Sequence, residues 1–151
     1  SFPEFASLLG GKFAGHGSQA PLSLVSPDPS HPAVKGLPNP WRVEQEEWLY
    51  FSGYDPSKVT PLLFSPSYPM DRRPRQGEMT PFPVSWTRTQ GTGKIFYTSM
   101  GHREDLWEES RVLPNRMNSP ETSLNFQRHL VGGIRWALGL APNTPTTQPK
   151  R

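Results

Sequence analysis

Cysteine is absent from this chain, and its absence removes several chemistries at once. No disulfide framework, thiolate nucleophile or cysteine-ligated metal can be built. Long apolar runs are missing too: nothing approaches the ~20 residues of a membrane-spanning helix. Hydrophobic residues make up only 33% of the sequence, whereas 19 of the 151 residues are proline and 13 are glycine. Ordinary proline usage is about 5%, so much of the chain must be loop. The net charge is +3 and the isoelectric point near 9.4, yet no basic stripe interleaved with aromatics is present, as a nucleic-acid face would require. The basic cluster Arg72-Arg73-Pro74-Arg75, beside Asp71 in a proline-rich stretch, reads as solvated loop.

Familiar catalytic signatures are missing as well. No HxxxH or HExxH spacing supports a dedicated zinc site. Gly91-Thr92-Gly93-Lys94 lacks the first glycine and the Ser/Thr after lysine that a phosphate loop needs. There is no GxSxG elbow. The opening residues, SFPEFASLLGG, are not a signal peptide. The missing initiator methionine raises the expectation that an upstream part is absent. The compartment stays open between cytoplasm and periplasm.

What is present centres on residues 86–102, WTRTQGTGKIFYTSMGH. Two β-favouring runs, 84–88 and 94–100, flank a turn at 89–93, a hairpin of the longer-loop kind. The second run, rich in β-branched and aromatic residues, reads as a buried strand ending at Gly101-His102. In an open α/β sheet ligands bind just past strand carboxyl ends, which singles out His102. Elsewhere, residues 3–9 suit a short helix stopped by Gly10-Gly11, and GKFAGHGSQ suits a glycine-rich loop around His16. Residues 22–26 suit a strand, and 32–35 a helical turn.

Residues 41–51 (WRVEQEEWLYF) read as one strand whose alternation puts Glu47 on the more apolar face. A bare carboxylate there is costly, so it must be paired, sit at a site, or follow a bulge. Residues 59–65 suit an edge strand because of Pro61. Residues 66–83 form a long loop, and 103–110 a short helix presenting Leu106 and Trp107. Ser119 caps a helix from Pro120 to about Leu138, with Leu130, Val131, Ile134, Ala137 and Leu138 as its apolar face. Gly132-Gly133 within it implies close packing against a sheet. Residues 141–151 read as a disordered tail.

Histidine is the usual general acid/base. His16 and His102 are the candidates; His31 suits capping of a helical turn, and His129 packing or surface. Glu46 and Glu47 are the candidate carboxylate partners. Trp48, Tyr50, Trp86 and Trp107 offer flat faces for sugar rings or for core packing. Arg88 can donate in fork geometry to a polyol or carboxylate, or pair with either glutamate.

Seven short motifs, in order, resemble the trehalose-utilisation (ThuA-like) family across residues 2–139. They are LGGKF with Gly15-His16, His31-Pro32 with Gly36-Leu37, Glu46-Glu47-Trp48 with Tyr50, and Leu62-Leu63-Phe64. Ser85-Trp86-Thr87-Arg88 follows, then residues 91–98 with Gly101-His102, and lastly residues 133–137, GIRWA. The family more often has Asp-Glu where this chain has Glu46-Glu47, which leaves open which carboxylate is equivalent to which. The resemblance implies an α/β fold of flavodoxin-like, class I glutamine amidotransferase-like type, a three-layer sandwich. Residues 1–140 would be its C-terminal two-thirds, with the N-terminal strands missing. Without cysteine, amidotransferase chemistry is excluded.

The resemblance also implies bacterial carbohydrate catabolism: acting on or binding trehalose or related disaccharides, including 3-keto forms. The alternative is a non-catalytic sugar-binding or interaction module of a larger protein. Carried over by position, His102 and His16 would be the acid/base groups and Glu47 their partner. Trp86, Arg88, Glu46 and Tyr50 would contact substrate. No metal and no other cofactor is expected. The expected partner is a small carbohydrate, with homo-oligomers or fusion to other domains as further options, and neither nucleic acid nor membrane.

Overall fold

The structure, a computed structural model, describes residues 3–69, 73 and 81–140. In chain order the elements are α1 (Pro3–Leu9), β1 (Lys12–His16), β2 (Ala20–Leu24), β3 (Trp41–Glu46), β4 (Leu49–Ser52), β5 (Thr60–Ser65), β6 (Phe82–Gln90), β7 (Gly93–Thr98) and α2 (Pro120–Ala137). A 3₁₀ turn, Glu104–Leu106, precedes α2. The result is a mixed α/β arrangement. β6 lies between β5 and β7, β2 pairs with β3, and β1 pairs with β4. Every pairing among the described residues is antiparallel. A bridge between Val25 and Phe64 ties the β2 end to β5. No helix among the described residues is long and apolar enough to cross a membrane.

Several sequence expectations are corrected. GKFAGHGSQ is not simply loop, because its first half is β1. Residues 41–51 are two strands rather than one. Between the pairs Leu22–Val43 and Ala20–Glu46, β2 advances two residues and β3 three, which is a β-bulge. The bulge slips the pleat by one residue, so Glu46 and Trp48 point inward after Trp41 and Val43. Glu47 is left on the outer side. The hairpin loop is only Gly91-Thr92, since Gln90 pairs with Gly93. The buried strand is β6; β7 is a half-buried edge.

The principal core gathers Leu22, Leu24, Trp41, Val43, Trp48, Leu62, Leu63, Phe82, Val84, Leu106 and Phe126. Each such side chain contributes roughly 1.5–3 kcal/mol on burial. A smaller cluster holds Phe51, Tyr54, Val59 and Trp86. Ser119 caps α2 by accepting from the Thr122 N–H at 3.1 Å. The face that α2 buries carries Thr122, Ser123, Asn125, Phe126, His129, Gly132 and Gly133, not the expected aliphatic row. Val131, Ile134 and Leu138 are exposed. The two glycines permit the approach: a side chain at 132 would strike the Pro32 carbonyl, and one at 133 the Phe96 ring. His129 is fully buried there, 2.8 Å from the Ala33 carbonyl oxygen and 3.1 Å from the Ser85 hydroxyl. The tail at 141–151, most of the basic cluster and much of the 66–83 stretch lie outside the described residues.

Candidate active site

Three chain segments converge where strands end. β1 ends on His16, β3 on Glu46 with Glu47 next, and β7 runs out through Ser99 to Gly101 and His102. Their arrangement starts with Glu46, which has no exposed surface. One of its oxygens accepts from the Glu47 N–H at 2.6 Å. The other accepts from the N–H groups of Gly101 at 2.8 Å and His102 at 3.1 Å. The buried carboxylate therefore fastens the Gly101-His102 turn to the β3 end. Burial pushes its carboxyl up, opposed by the backbone N–H groups of Gly101, Glu47, Arg103 and His102.

Glu47 points the other way. One oxygen lies 3.3 Å from His16 Nδ1 and the other 3.7 Å from His102 Nδ1. The carboxylate is 18% exposed and each imidazole 53%, so both rings reach solvent while one carboxylate orients them. His16 Nδ1 also sits 3.2 Å from the Gly17 carbonyl oxygen. A carboxylate between two imidazoles can orient both rings for general acid/base work. Among the described residues no group of three or more histidine, aspartate or glutamate side chains is disposed to hold a metal ion.

Glycines make the approach possible at two points. Gly101 has φ +117°, and a Cβ there would stand 3.0 Å from the Trp107 ring and 3.2 Å from Phe126. A Cβ at Gly17 would stand 2.6 Å from the Tyr50 hydroxyl oxygen. Tyr50 thus lies beside the His16-Gly17 segment, stacked on Tyr68 and edge-on to Phe82.

The other expected contacts lie elsewhere. Trp86 is fully buried, stacked on Tyr97 at 4.3 Å, with its indole N–H on the Leu9 carbonyl; it has no free face for a sugar. Trp48 is equally buried and donates to the Ala20 carbonyl at 2.8 Å. Arg88 donates to the Ser7 carbonyl and the Gln90 side chain. It lines a cleft of about 270 Å³ with Lys12, Asp55 and Lys58, and is bonded to neither glutamate. Glu46 cannot touch a solvent-borne substrate, being spent on backbone. His31 accepts from the Ala33 N–H at 3.2 Å, a turn cap.

Sequence reasoning missed what holds the segment after His102. Asp105, 2% exposed, receives both Nε and Nη2 of Arg103 at 3.0 and 2.9 Å, the N–H groups of Met117 and Asn118, and the Asn118 amide. Burial alone would raise its carboxyl, but those donors hold it well below the usual carboxylate range. Asn118 in turn exchanges two hydrogen bonds with the Gln45 backbone, one residue before Glu46. The Arg103-Glu104-Asp105 spacing was the only signal available in the sequence.

Two solved structures resemble this fold. A ThuA-like protein from Parabacteroides merdae matches with a TM-score of 0.56 and 23% identity, over 91% of this chain and 44% of that one. One from Bacteroides uniformis matches at 0.58 and 24%, over 89% and 51%. The chain therefore spans about half the length of the structures it matches. No curated protein matches the sequence. Residues 1–137 match the family described as trehalose utilisation, ThuA, and the chain belongs to that family.

Proposed function

We propose that this is a carbohydrate-handling domain in which His16, Glu47 and His102 form an acid/base site for trehalose or a related disaccharide, including its 3-keto form. The observation that carries the reading is the Glu47 carboxylate set between two half-exposed imidazoles. On a 3-keto sugar, one imidazole would take the proton alpha to the carbonyl. The other, as imidazolium, would donate to the oxygen where charge develops, or to a departing glycosidic oxygen. Glu47 would orient both rings and stabilise whichever is charged. Tyr50, beside the His16 segment, would contact the substrate.

The flavodoxin-like three-layer sandwich belongs to the same proposal. It requires parallel strands beyond the antiparallel pairs described here, and the half of each related structure not matched by this chain leaves room for them. The test is turnover of 3-keto-trehalose and 3-keto-sucrose by the native chain and by His102→Ala and Glu47→Gln. Loss of turnover with native-like melting supports an enzyme. Intact turnover in both variants refutes the site. Binding without turnover, weakened by the same substitutions, assigns the domain to the non-catalytic sugar-binding class.

A further inference from the structure

Five tryptophans are present, and their environments differ in a telling way. Trp41, Trp48 and Trp86 are at most 1% exposed. Trp136 is half-buried, tilted against His31 at 5.3 Å with the Lys94 ammonium 5.2 Å from its ring centre. Trp107 alone is exposed, at 55%. It is nonetheless held firmly. Its indole N–H donates to the Gly101 carbonyl at 2.9 Å, and its ring meets Phe126 edge-on at 5.0 Å. Its own carbonyl accepts from the Gln127 amide at 3.0 Å.

The Gly101 carbonyl belongs to the same peptide unit as the His102 N–H, and that N–H donates to Glu46. One peptide group is thus gripped by Glu46 on its N–H side and by Trp107 on its C=O side. The indole stands one peptide unit from a candidate acid/base residue, fixed, with more than half its surface open. Gly101 is required for this, because any side chain there would press on the ring at 3.0 Å.

We propose that Trp107 is the floor of a sugar-ring subsite adjoining His102, so that the site takes a two-ring carbohydrate with one ring at the imidazoles and the second stacked on the indole. This rests on the acid/base reading above. The chemistry is complementary: a pyranose presents C–H groups on one face and hydroxyls around its edge. A pre-oriented indole supplies flat apolar area without an ordering cost at the moment of binding.

The experiment uses the native chain with trehalose and sucrose, set against glucose. Trp136 is half-buried beside the Lys94 ammonium, so the iodide quenching of tryptophan emission that belongs to Trp107 is read as the difference between the native chain and Trp107→Phe. Saturating disaccharide should shield the Trp107 indole, and glucose should not. Trp107→Ala should weaken disaccharide binding about tenfold, on the scale of a strong aromatic contact, and leave glucose affinity unchanged. If that variant fails to fold, Trp107→Phe and the quenching difference decide. The proposal is overturned if iodide still reaches the indole at saturating disaccharide, or if Trp107→Phe and Trp107→Ala bind disaccharide as the native chain does. Loss of binding in His102→Ala with no effect at Trp107 removes the subsite and keeps the acid/base reading. No binding of any sugar by the native chain removes both.

Discussion

Acidification should strip stability from this fold through His129 above all, with the half-buried His31, also pushed down by burial, acting in the same sense. His129 lies against an acceptor-only carbonyl, so Nδ1 carries the ring hydrogen and donates to Ala33, leaving Nε2 to face Ser85. Burial pushes its imidazole down to about 4 from an ordinary 6.5; the Ala33 carbonyl opposes that and His31 adds to it. The folded chain therefore keeps the ring neutral while the unfolded chain takes up a proton near pH 6.5. Stability from this group is fully present above that value and falls as pH drops towards 4. Each pH unit is worth 1.36 kcal/mol, so the loss across the window is about 3 kcal/mol. For a chain of this length each kcal/mol moves Tm by roughly 2–4 °C, a total of roughly 6–12 °C. Glu46, whose carboxyl burial pushes up, works in the opposite sense and regains stability as pH falls. The comparison must therefore be between the native chain and His129→Gln by urea unfolding at each pH, with the difference isolating the histidine. Nuclear magnetic resonance of the His129 ring gives the same answer without a variant. A ring that titrates near 6.5, or a native-minus-variant difference that is flat from pH 7 to 4.5, would refute the reasoning.

Removing the Glu46 side chain (Glu46→Ala) takes the acceptor from three backbone N–H groups, each worth about 1–3 kcal/mol when buried and unpaired. We expect a loss of about 3–5 kcal/mol, and amide hydrogen exchange at Gly101 and His102 should quicken before the core amides respond. Gly133→Ala drives a methyl into the Phe96 ring and should cost about 1–3 kcal/mol as overpacking, read by thermal melting; Ala at the exposed position 134 should cost less. Trp86→Phe deletes the bond to the Leu9 carbonyl and part of a buried ring stack. Melting should drop while sugar affinity of the folded protein stays unchanged, whereas a selective loss of affinity would restore Trp86 as a ligand contact.

Local signals in the sequence located most elements, and long-range ones decided which face each presents. The N-cap at Ser119, the proline at N1 and the glycines after α1 act within a turn or two, so they mark helix limits without knowledge of the rest. The burial of α2 is different. Leu130, Val131, Ile134 and Leu138 have helical spacing, yet Val131, Ile134 and Leu138 are exposed. The described packing instead uses Gly132 and Gly133 to bring the backbone against Pro32 and Phe96. A stripe of large residues and a stripe of small ones are both period-3.6 patterns, and the sequence alone does not say which one meets the sheet. Likewise β7 carries the residues of a buried strand but lies at an edge, because strand order is a property of pairing and not of composition.

The candidate site turns on a shift of one residue. With perfect alternation along 41–51, Glu47 would be buried and Glu46 free, and the two carboxylates would exchange roles. The bulge between Val43 and Glu46 reverses them. Glu46 goes inward and spends its charge on the Gly101-His102 backbone, and Glu47 is left outward between two imidazoles. Adjacent carboxylates pointing to opposite sides of one strand end can divide the work that a single one cannot do. One fixes the loop that carries a histidine, at the cost of being desolvated, and the other stays partly exposed, 3.7 Å from that histidine's Nδ1. Under the proposed acid/base reading, that division gives each carboxylate its own task, with the strand stopping at the pair. Continued pairing past Glu46 would occupy the Glu47 N–H that its neighbour's carboxylate now receives.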